Sequence, residues 1–356
     1  MPPTTSLRPA GRALKQLQKR SYSTPQSPAQ PLTSPFAPRH LLSIADLTPA
    51  EFSALVQNAS SHKTAIKSGT TPPALAGKLL GQTIAMMFSK RSTRTRVSTE
   101  AAVTTMGGHP MFLGSGDIQL GVNESLYDTS VVISSMVSAM VARVGAHAEV
   151  ADLAKHSSVP VINALSEDYH PLQTIADFVT IQETFGKEKM QGMKVAWVGD
   201  ANNVLFDLAI GCLKLGVDIS VAAPNGYTIP PAMKQIILAS RPENSTVQLT
   251  ETNVPEEAIK NADILVTDTW ISMGQEEESA KRLKAFAGYQ ITEELANRGG
   301  AKEGWRFMHC LPRHQEEVDD AVFYGKRSLV FPEAENRLWA AISALEGFVV
   351  NKGKII

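Results

Sequence analysis

The sequence predicts an α/β fold: two α/β domains, each with a central, mainly parallel β-sheet flanked by helices. Its 356 residues, 43% of them hydrophobic, are enough to form one or two substantial cores, and two domains are the natural expectation for this length. In the second half, short apolar runs alternate with helix-like segments, as expected for parallel strands joined by crossover helices. These runs are residues 194–200, 218–224, 264–269 and 307–312. Ligands of such sheets bind at the carboxyl ends of the strands.

A strand-to-helix unit is also predicted in the first half. Residues 83–88 form a short apolar run, and residues 97–106 contain no Pro or Gly, so they can continue as a helix. Residues 88–96 between them hold four cations and four hydroxyls. A helix N-terminus presents unpaired N–H groups and a positive dipole end, so this composition favours a phosphate site with Ser92 or Thr93 as N-cap. A solvated basic turn is the alternative.

Residues 1–38 are predicted to be a mitochondrial transit peptide and flexible lead-in. The first forty residues contain six basic and no acidic residues. The six are Arg8, Arg12, Lys15, Lys19, Arg20 and Arg39. Residues 20–23 (Arg-Ser-Tyr-Ser) resemble the pattern cut by the matrix processing peptidase, so cleavage is expected between Tyr22 and Ser23. The mature protein is expected in the mitochondrial matrix. An ordinary disordered tail is the alternative.

Composition argues against several classes of function. A net charge of −1 with 6% aromatic residues gives no basic or stacking surface for nucleic acid. No apolar run approaches the roughly 18 residues that cross a bilayer, so no membrane partner is expected. Cys212 and Cys310 are far apart and the histidines lack zinc-site spacing, so neither a disulfide framework nor a metal is predicted.

Nucleotide-dependent enzymes are disfavoured as well. Residues 198–204 contain one Gly where the dinucleotide fingerprint requires three, and the phosphate-loop motif G-x-x-x-x-G-K-[ST] does not occur. No cofactor is therefore predicted.

Four separated motifs together resemble the aspartate/ornithine carbamoyltransferase superfamily. They are residues 92–96 (Ser-Thr-Arg-Thr-Arg), 170–173 (His-Pro-Leu-Gln), 268–274 (Asp-Thr-Trp-Ile-Ser-Met-Gly) and 309–312 (His-Cys-Leu-Pro). The first two are shared with the aspartate branch, whereas the last two select the ornithine branch. The resemblance runs from about residue 40 to the C-terminus and includes residues 331–337 (Phe-Pro-Glu-Ala-Glu-Asn-Arg).

The resemblance implies a domain organisation and a reaction. Residues 39–175 would bind carbamoyl phosphate, residues 176–325 would bind ornithine, and residues 326–356 would form a C-terminal helix packed back on the first domain. The reaction would transfer the carbamoyl group to the δ-amine of L-ornithine, giving L-citrulline and phosphate, a step of arginine biosynthesis or the urea cycle. A different amine acceptor, or a non-catalytic homologue that binds carbamoyl phosphate, are the alternatives.

The family pattern places the carbamoyl phosphate pocket on ten residues. They are Ser92, Thr93, Arg94, Thr95, Arg143, His170, Gln173, Cys310, Leu311 and Arg337. Amine attack creates an oxyanion, so hydrogen-bond donors must converge on both the phosphate and the carbonyl oxygen. Arg143, His170 and the Thr95 hydroxyl suit the carbonyl oxygen. The structural alternatives are a satisfied core histidine for His170, a paired buried charge for Arg143, and an ion pair with Glu335 for Arg337.

The resemblance assigns ornithine to Asn203, Asp268, Ser272 and Met273. Asp268 would bind the α-amino group, with Ser272 and Met273 near the α-carboxylate. An Asx turn at Asp268 and core packing of Met273 are the alternatives. Arg143, His170, Cys310 and Asp268 are the predicted catalytic residues.

Direct transfer is predicted, without a covalent intermediate on Cys310, because carbamoyl phosphate is already activated. Cys310 and the Leu311 carbonyl would orient the δ-amine. The family also forms homotrimers, in which the segment 117–121 with Gln119 reaches the neighbouring subunit's site.

Overall fold

The computed structural model describes residues 37–116, 124–271 and 278–355. The predicted fold class is confirmed, because the described residues form two α/β domains with parallel sheets flanked by helices. The predicted transit peptide up to residue 36, as well as Gln119, Ser272 and Met273, lie outside the described residues. In the part of the chain that is described, no helix has the length and apolar character to cross a membrane.

The first sheet has the order β2-β1-β3-β4, and its described strand pairs are all parallel. Its strands are β1 (Thr83–Phe88), β2 (His109–Gly114), β3 (Ala139–Arg143) and β4 (Val161–Leu165). The helices of this half are α1 (Pro49–Lys67), α2 (Thr93–Thr105), α3 (Leu126–Ser134), α4 (His147–His156) and α5 (Pro171–Phe185). Since β1 and β3 are buried along almost their whole length, they read as continuous apolar runs.

The second sheet has the order β7-β6-β5-β8-β9, and every pairing described in it is parallel. Its strands are β5 (Lys194–Val198), β6 (Asp218–Ala222), β7 (Leu249–Thr252), β8 (Ile264–Thr267) and β9 (Arg306–His309). Its helices are α6 (Asn203–Leu215), α7 (Pro231–Ala239), α8 (Pro255–Ile259), α9 (Ser279–Ala285), α10 (Glu293–Gly299) and α11 (Asp320–Phe323). Strand order reverses beside β5, and such a switch point opens a crevice at the carboxyl edge.

The last helix, α12 (Val330–Leu345), packs against α1, α2 and α5 and continues into a π-helical turn, Glu346–Val350. It lies within residues 326–356, for which a C-terminal helix is predicted. Pro332 falls in its first turn, where the missing N–H has no intrahelical acceptor to lose. This return of the chain carries Arg337 to the first domain.

A continuous hydrophobic cluster joins α1, α5, α6, α12 and parts of both sheets. Phe52 and Phe178 meet edge to face at its centre, with ring centroids 5.2 Å apart. Gly211 on α6 lies directly against them, because a Cβ there would sit 2.8 Å from the Phe178 ring and 3.0 Å from Phe52. The absence of a side chain at Gly211 allows α6 to approach these rings.

We therefore predict that Gly211→Val lowers the free energy of unfolding, because overpacking a filled core costs about 1–3 kcal/mol. Chemical denaturation measures this. Gly304→Val is the control, since Gly304 is exposed and a Cβ there meets no atom within 4 Å. Equal stability of the two variants would contradict the close packing at Gly211.

Candidate active site

The predicted site residues of the first domain lie at the carboxyl edge of its sheet. Ser92–Thr95 follow β1, Arg143 is the last residue of β3, and His170 follows β4 as the N-cap of α5. Parallel strands bring these ends together at one edge of the sheet. Residues far apart in sequence therefore share one site.

The second sheet contributes its own carboxyl edge. Asn203 begins α6 after β5, Asp268 follows β8, and Cys310 follows β9. Asn203 lies close to the first domain, because its Nδ2 donates to the Ser166 carbonyl at 2.6 Å. The two predicted substrate regions thus face each other.

Helix α2 begins with its N-terminus in the site. Ser92 is the N-cap, its Oγ accepting the Thr95 N–H at 3.3 Å and donating to Thr95 Oγ1 at 3.0 Å. Thr95 is buried, whereas Thr93 is exposed and lines a cavity of about 430 Å³ together with Ser92. Arg96 on the same turn pairs with Glu100 at 2.8 Å and lies over the Phe112 ring, so it supports the local structure. The first turn of α2 thus presents hydroxyl and N–H groups toward an anion.

Three arginines and a histidine converge beside this helix end. Burial and then the Arg94 charge lower the pKa of Arg143 to about 10. The pKa of Arg337 is lowered to about 10 by burial and by Arg143. Burial first, then Arg337, Arg143 and Arg94, hold the pKa of His170 well below its usual value. His170 is therefore neutral at physiological pH, whereas the arginines remain charged.

Several polar atoms of this cluster are buried without a hydrogen-bond partner among the described residues. They are Nε of Arg143, Nε of Arg337 and Nδ1 of His170. A satisfied core histidine, the structural alternative for His170, would have both ring nitrogens bonded. Buried like charges without partners are costly, and an anion placed among them would relieve that cost.

Arg337 does not pair with Glu335, the alternative suggested by the sequence, because Glu335 pairs with Lys67 at 2.5 Å. Instead its guanidinium donates to Gln173 Oε1 at 2.7 Å and to Thr95 Oγ1 at 3.3 Å. Arg337 thereby joins α12 to both α5 and the start of α2.

The sequence alone did not predict the two buried acids, Asp177 and Glu333, that bind the Gln173 amide. Gln173 Nε2 donates to Asp177 Oδ1 at 2.7 Å and to Glu333 Oε1 at 2.9 Å, and Glu333 Oε2 accepts the His309 N–H at 2.8 Å. Burial raises the pKa of Asp177 to about 7, and burial together with Asp177 raises that of Glu333 well above its usual range. Both carboxyls thus accept from the same amide nitrogen of Gln173. The spacing of Gln173 and Asp177, one helical turn apart, was the available signal.

Asp268 is held by side chains rather than by an Asx turn. Its Oδ2 accepts from Asn202 Nδ2 at 2.8 Å, and its Oδ1 accepts the Cys310 thiol hydrogen at 3.1 Å. Burial and the Asp268 charge raise the pKa of Cys310 well above its usual value, so the thiol is neutral. Asn202 also caps α6 by accepting from Val204 N. Its role in orienting Asp268 had no separate signal in the sequence.

The loop after β9 places Leu311 in a left-handed conformation with φ of 63°. His309 Nδ1 accepts the Leu311 N–H at 2.9 Å, which fixes this turn. Ligand atoms of Asp268, His309 and Cys310 lie within 4.8 Å of one another, a donor set that could hold a metal ion. In this arrangement, however, the Cys310 thiol is protonated and His309 Nδ1 accepts the Leu311 N–H. A metal ion could bind only after the thiol lost its proton and His309 lost this hydrogen bond.

Asp207 supports the first-domain site from α6. Its Oδ2 accepts the His170 N–H at 2.8 Å, while Oδ1 accepts from Ser43 Oγ and Ile44 N. Burial raises the pKa of Asp207 to about 7 against these hydrogen bonds, which lower it. This carboxyl fixes the His170 backbone to the second domain.

Fold and site together define a two-domain α/β protein in which a cluster of cations suited to an anion lies near a carboxylate and a thiol of the second domain. Two protein-family models, one for each domain, match the chain. Residues 39–183 match the carbamoyl-phosphate-binding domain of aspartate/ornithine carbamoyltransferase, and residues 191–347 match its Asp/Orn-binding domain. The chain belongs to the aspartate/ornithine carbamoyltransferase family.

Individual relatives are similar over nearly the full length. The chain is 72% identical to a protein of Aspergillus niger named ornithine carbamoyltransferase, mitochondrial, over 95% of this chain and 94% of that protein. A crystal structure of a mitochondrial ornithine carbamoyltransferase from Coccidioides immitis has 66% identity and a TM-score of 0.85, covering 90% of this chain and all of that one. The ornithine carbamoyltransferase structure from Pyrococcus furiosus has 41% identity and a TM-score of 0.82, over 89% and 98%.

Proposed function

We propose that the chain transfers the carbamoyl group of carbamoyl phosphate to the δ-amine of L-ornithine, giving L-citrulline and phosphate. The observation that carries this is the convergence of Arg94, Arg143, Arg337 and neutral His170 on the start of α2, opposite the Asp268 and Cys310 pair. One side suits a phosphorylated donor and the other an amino acid. Named relatives at about 70% identity support ornithine as the acceptor.

The donor is assigned to the cationic side. Ser92, Thr93, Arg94 and the N–H groups of the first turn of α2 hold the phosphate. Thr95, Arg143 and His170 donate to the carbonyl oxygen, on which negative charge develops as the amine attacks. A neutral His170 must carry its proton on Nε2 or Nδ1, and the nearby arginines keep it from becoming a further cation. Arg337 and Gln173 complete this side, next to Leu311.

The acceptor is assigned to the second domain. Asp268, held by Asn202, binds the α-amino group, and Asn203 lies beside it. Ser272 and Met273, outside the described residues, are proposed for the α-carboxylate. We propose the boundaries of residues 39–175 and 176–325 for the two domains, with residues 326–356 returning to the first.

Attack is direct in this proposal. The δ-amine, whose ordinary pKa is about 10, loses one proton to solvent before it attacks, and the C–O bond to phosphate breaks after the C–N bond forms. A neutral Cys310 thiol bonded to Asp268 is a poor nucleophile, since the thiolate is the reactive form. Cys310 and the Leu311 carbonyl therefore orient the amine, and the departing phosphate accepts its final proton.

The assay of ureido product with a panel of amines tests this function. We expect product with carbamoyl phosphate and L-ornithine, and none with putrescine, N-acetylornithine or aspartate. His170→Ala should lower kcat about 100- to 1000-fold, because it removes a donor to the oxyanion. Arg298→Gln, which changes an exposed arginine paired with Glu256, is the control and should keep the parent rate.

Two outcomes would sink the proposal. Activity with putrescine but not ornithine would assign another acceptor, and binding of carbamoyl phosphate without turnover of any amine would indicate a non-catalytic homologue. Mass spectrometry of the same reaction should find no carbamoyl group on Cys310. A trapped carbamoyl thiol would replace direct transfer by a covalent route.

We further propose a homotrimer in which Gln119 of one subunit reaches the site of its neighbour. The family resemblance supports this proposal.

Hybrid trimers test the shared site. The His170→Ala and Gln119→Ala variants should each have low activity alone. When they are mixed, unfolded and refolded together, activity should return, because some sites combine an intact His170 with an intact neighbouring Gln119. If activity stays low although sedimentation shows trimers, Gln119 does not act across the subunit boundary.

We propose the mitochondrial matrix as the location. Relatives named as mitochondrial, together with the acid-free N-terminal sequence, support import into mitochondria. N-terminal sequencing of the protein recovered from mitochondria should begin at or within a few residues of Ser23. Recovery of a chain that still begins at Met1 would argue against a cleaved transit peptide.

A further inference from the structure

The amide of Gln173 is held in one orientation by its neighbours. An amide nitrogen carries two hydrogens, and both are used, one by Asp177 Oδ1 at 2.7 Å and one by Glu333 Oε1 at 2.9 Å. The other end of the amide accepts from Arg337 at 2.7 Å. Reversing the amide would set its oxygen against two carboxyl groups and its NH2 against a guanidinium. The flip is therefore strongly disfavoured.

In this fixed orientation the Gln173 carbonyl oxygen faces the arginine side of the site, to which carbamoyl phosphate is assigned. Arg337, which binds that oxygen, also donates to Thr95 at the start of α2. A carbonyl oxygen accepts two hydrogen bonds, and among the described residues Gln173 Oε1 receives only the one from Arg337. It can accept a further hydrogen from a ligand beside the phosphate site, but it cannot donate one.

We propose that Asp177 and Glu333 are positioning residues that fix Gln173 as an acceptor for the carbamoyl NH2, and thereby select a donor with an amide over one with a methyl group. This rests on the proposed function, since it assigns the carbamoyl group to this side of the site. Neither residue touches the substrate, and both act through the Gln173 amide.

The pair is suited to this role by its charge. Two ionised carboxylates on one amide nitrogen within the core would repel each other, so burial and this repulsion raise the pKa of both. The charge of Asp177 acts on the buried Arg337 guanidinium, to which the Gln173 amide connects it. The Glu333 bond to the His309 N–H also connects this unit to the turn that carries Cys310 and Leu311.

Two stable analogues test the selection, phosphonoacetamide and acetonylphosphonate, which differ only in NH2 against CH3. Calorimetry on the full chain should give about 10- to 100-fold tighter binding of the amide, because the methyl analogue leaves the Gln173 oxygen without its hydrogen bond. Asp177→Ala removes one of the two carboxyls that hold the Gln173 NH2, so the amide is less firmly oriented and the preference should fall to about threefold or less. Asp177→Asn keeps an acceptor for Gln173 and should retain the parent preference.

Inorganic phosphate controls for the integrity of the site, because it does not contact the carbamoyl region. Its affinity should be similar in all variants, and a variant that no longer binds phosphate is replaced by Glu333→Met, with Glu333→Gln as its conservative partner. Retention of the full preference in the alanine variant would overturn the positioning role. Equal binding of both analogues to the parent would show that Gln173 does not accept a hydrogen bond from the carbamoyl NH2. If the parent binds phosphate but neither analogue, the proposed function itself fails.

Discussion

The repulsion among buried cations is the interaction on which the rest of this structure depends. The Arg94 charge lowers the pKa of Arg143, the charges of Arg143 and Arg94 lower that of Arg337, and all three lower that of His170. Such a cluster is unfavourable by itself, since burial removes water and like charges oppose each other. It persists because separate elements hold each member: a strand end, a helix N-terminus and the C-terminal helix. The free energy stored there becomes affinity when an anion binds.

The architecture explains how this arrangement is maintained. Parallel strands bring Arg143 and the α2 N-terminus to one edge, and α12 returns from the far end of the chain to add Arg337. The second domain is tied to the same point by Asp207, which holds the His170 backbone, and by Glu333, which holds the turn after β9. Buried hydrogen bonds thus connect the residues around the cations with those around Asp268 and Cys310.

The sequence was sufficient for the fold class and for the carbamoyltransferase resemblance, because apolar runs and the four motifs are local patterns. The start of α2 also followed from composition, since Ser92 is an effective N-cap wherever it precedes a helix. The acid pair could not be predicted, because Asp177 and Glu333 are 156 positions apart and meet only after α12 has folded back. Asn202 was missed for a related reason. It reads as an ordinary N-cap, and its bond to Asp268 depends on how β5 and β8 pair.

Stability with and without phosphate tests the central role of the cation cluster most directly. At about 100 times the dissociation constant, phosphate should stabilise the parent by about 2.7 kcal/mol, and chloride of equal ionic strength should not. Arg143→Gln should be at least as stable as the parent without phosphate, because a repulsive charge is gone, and should gain far less from phosphate. Arg298→Gln should respond as the parent does. An Arg143→Gln variant that is less stable without phosphate yet gains the full increment would contradict the view that these arginines are held in mutual repulsion for an anion.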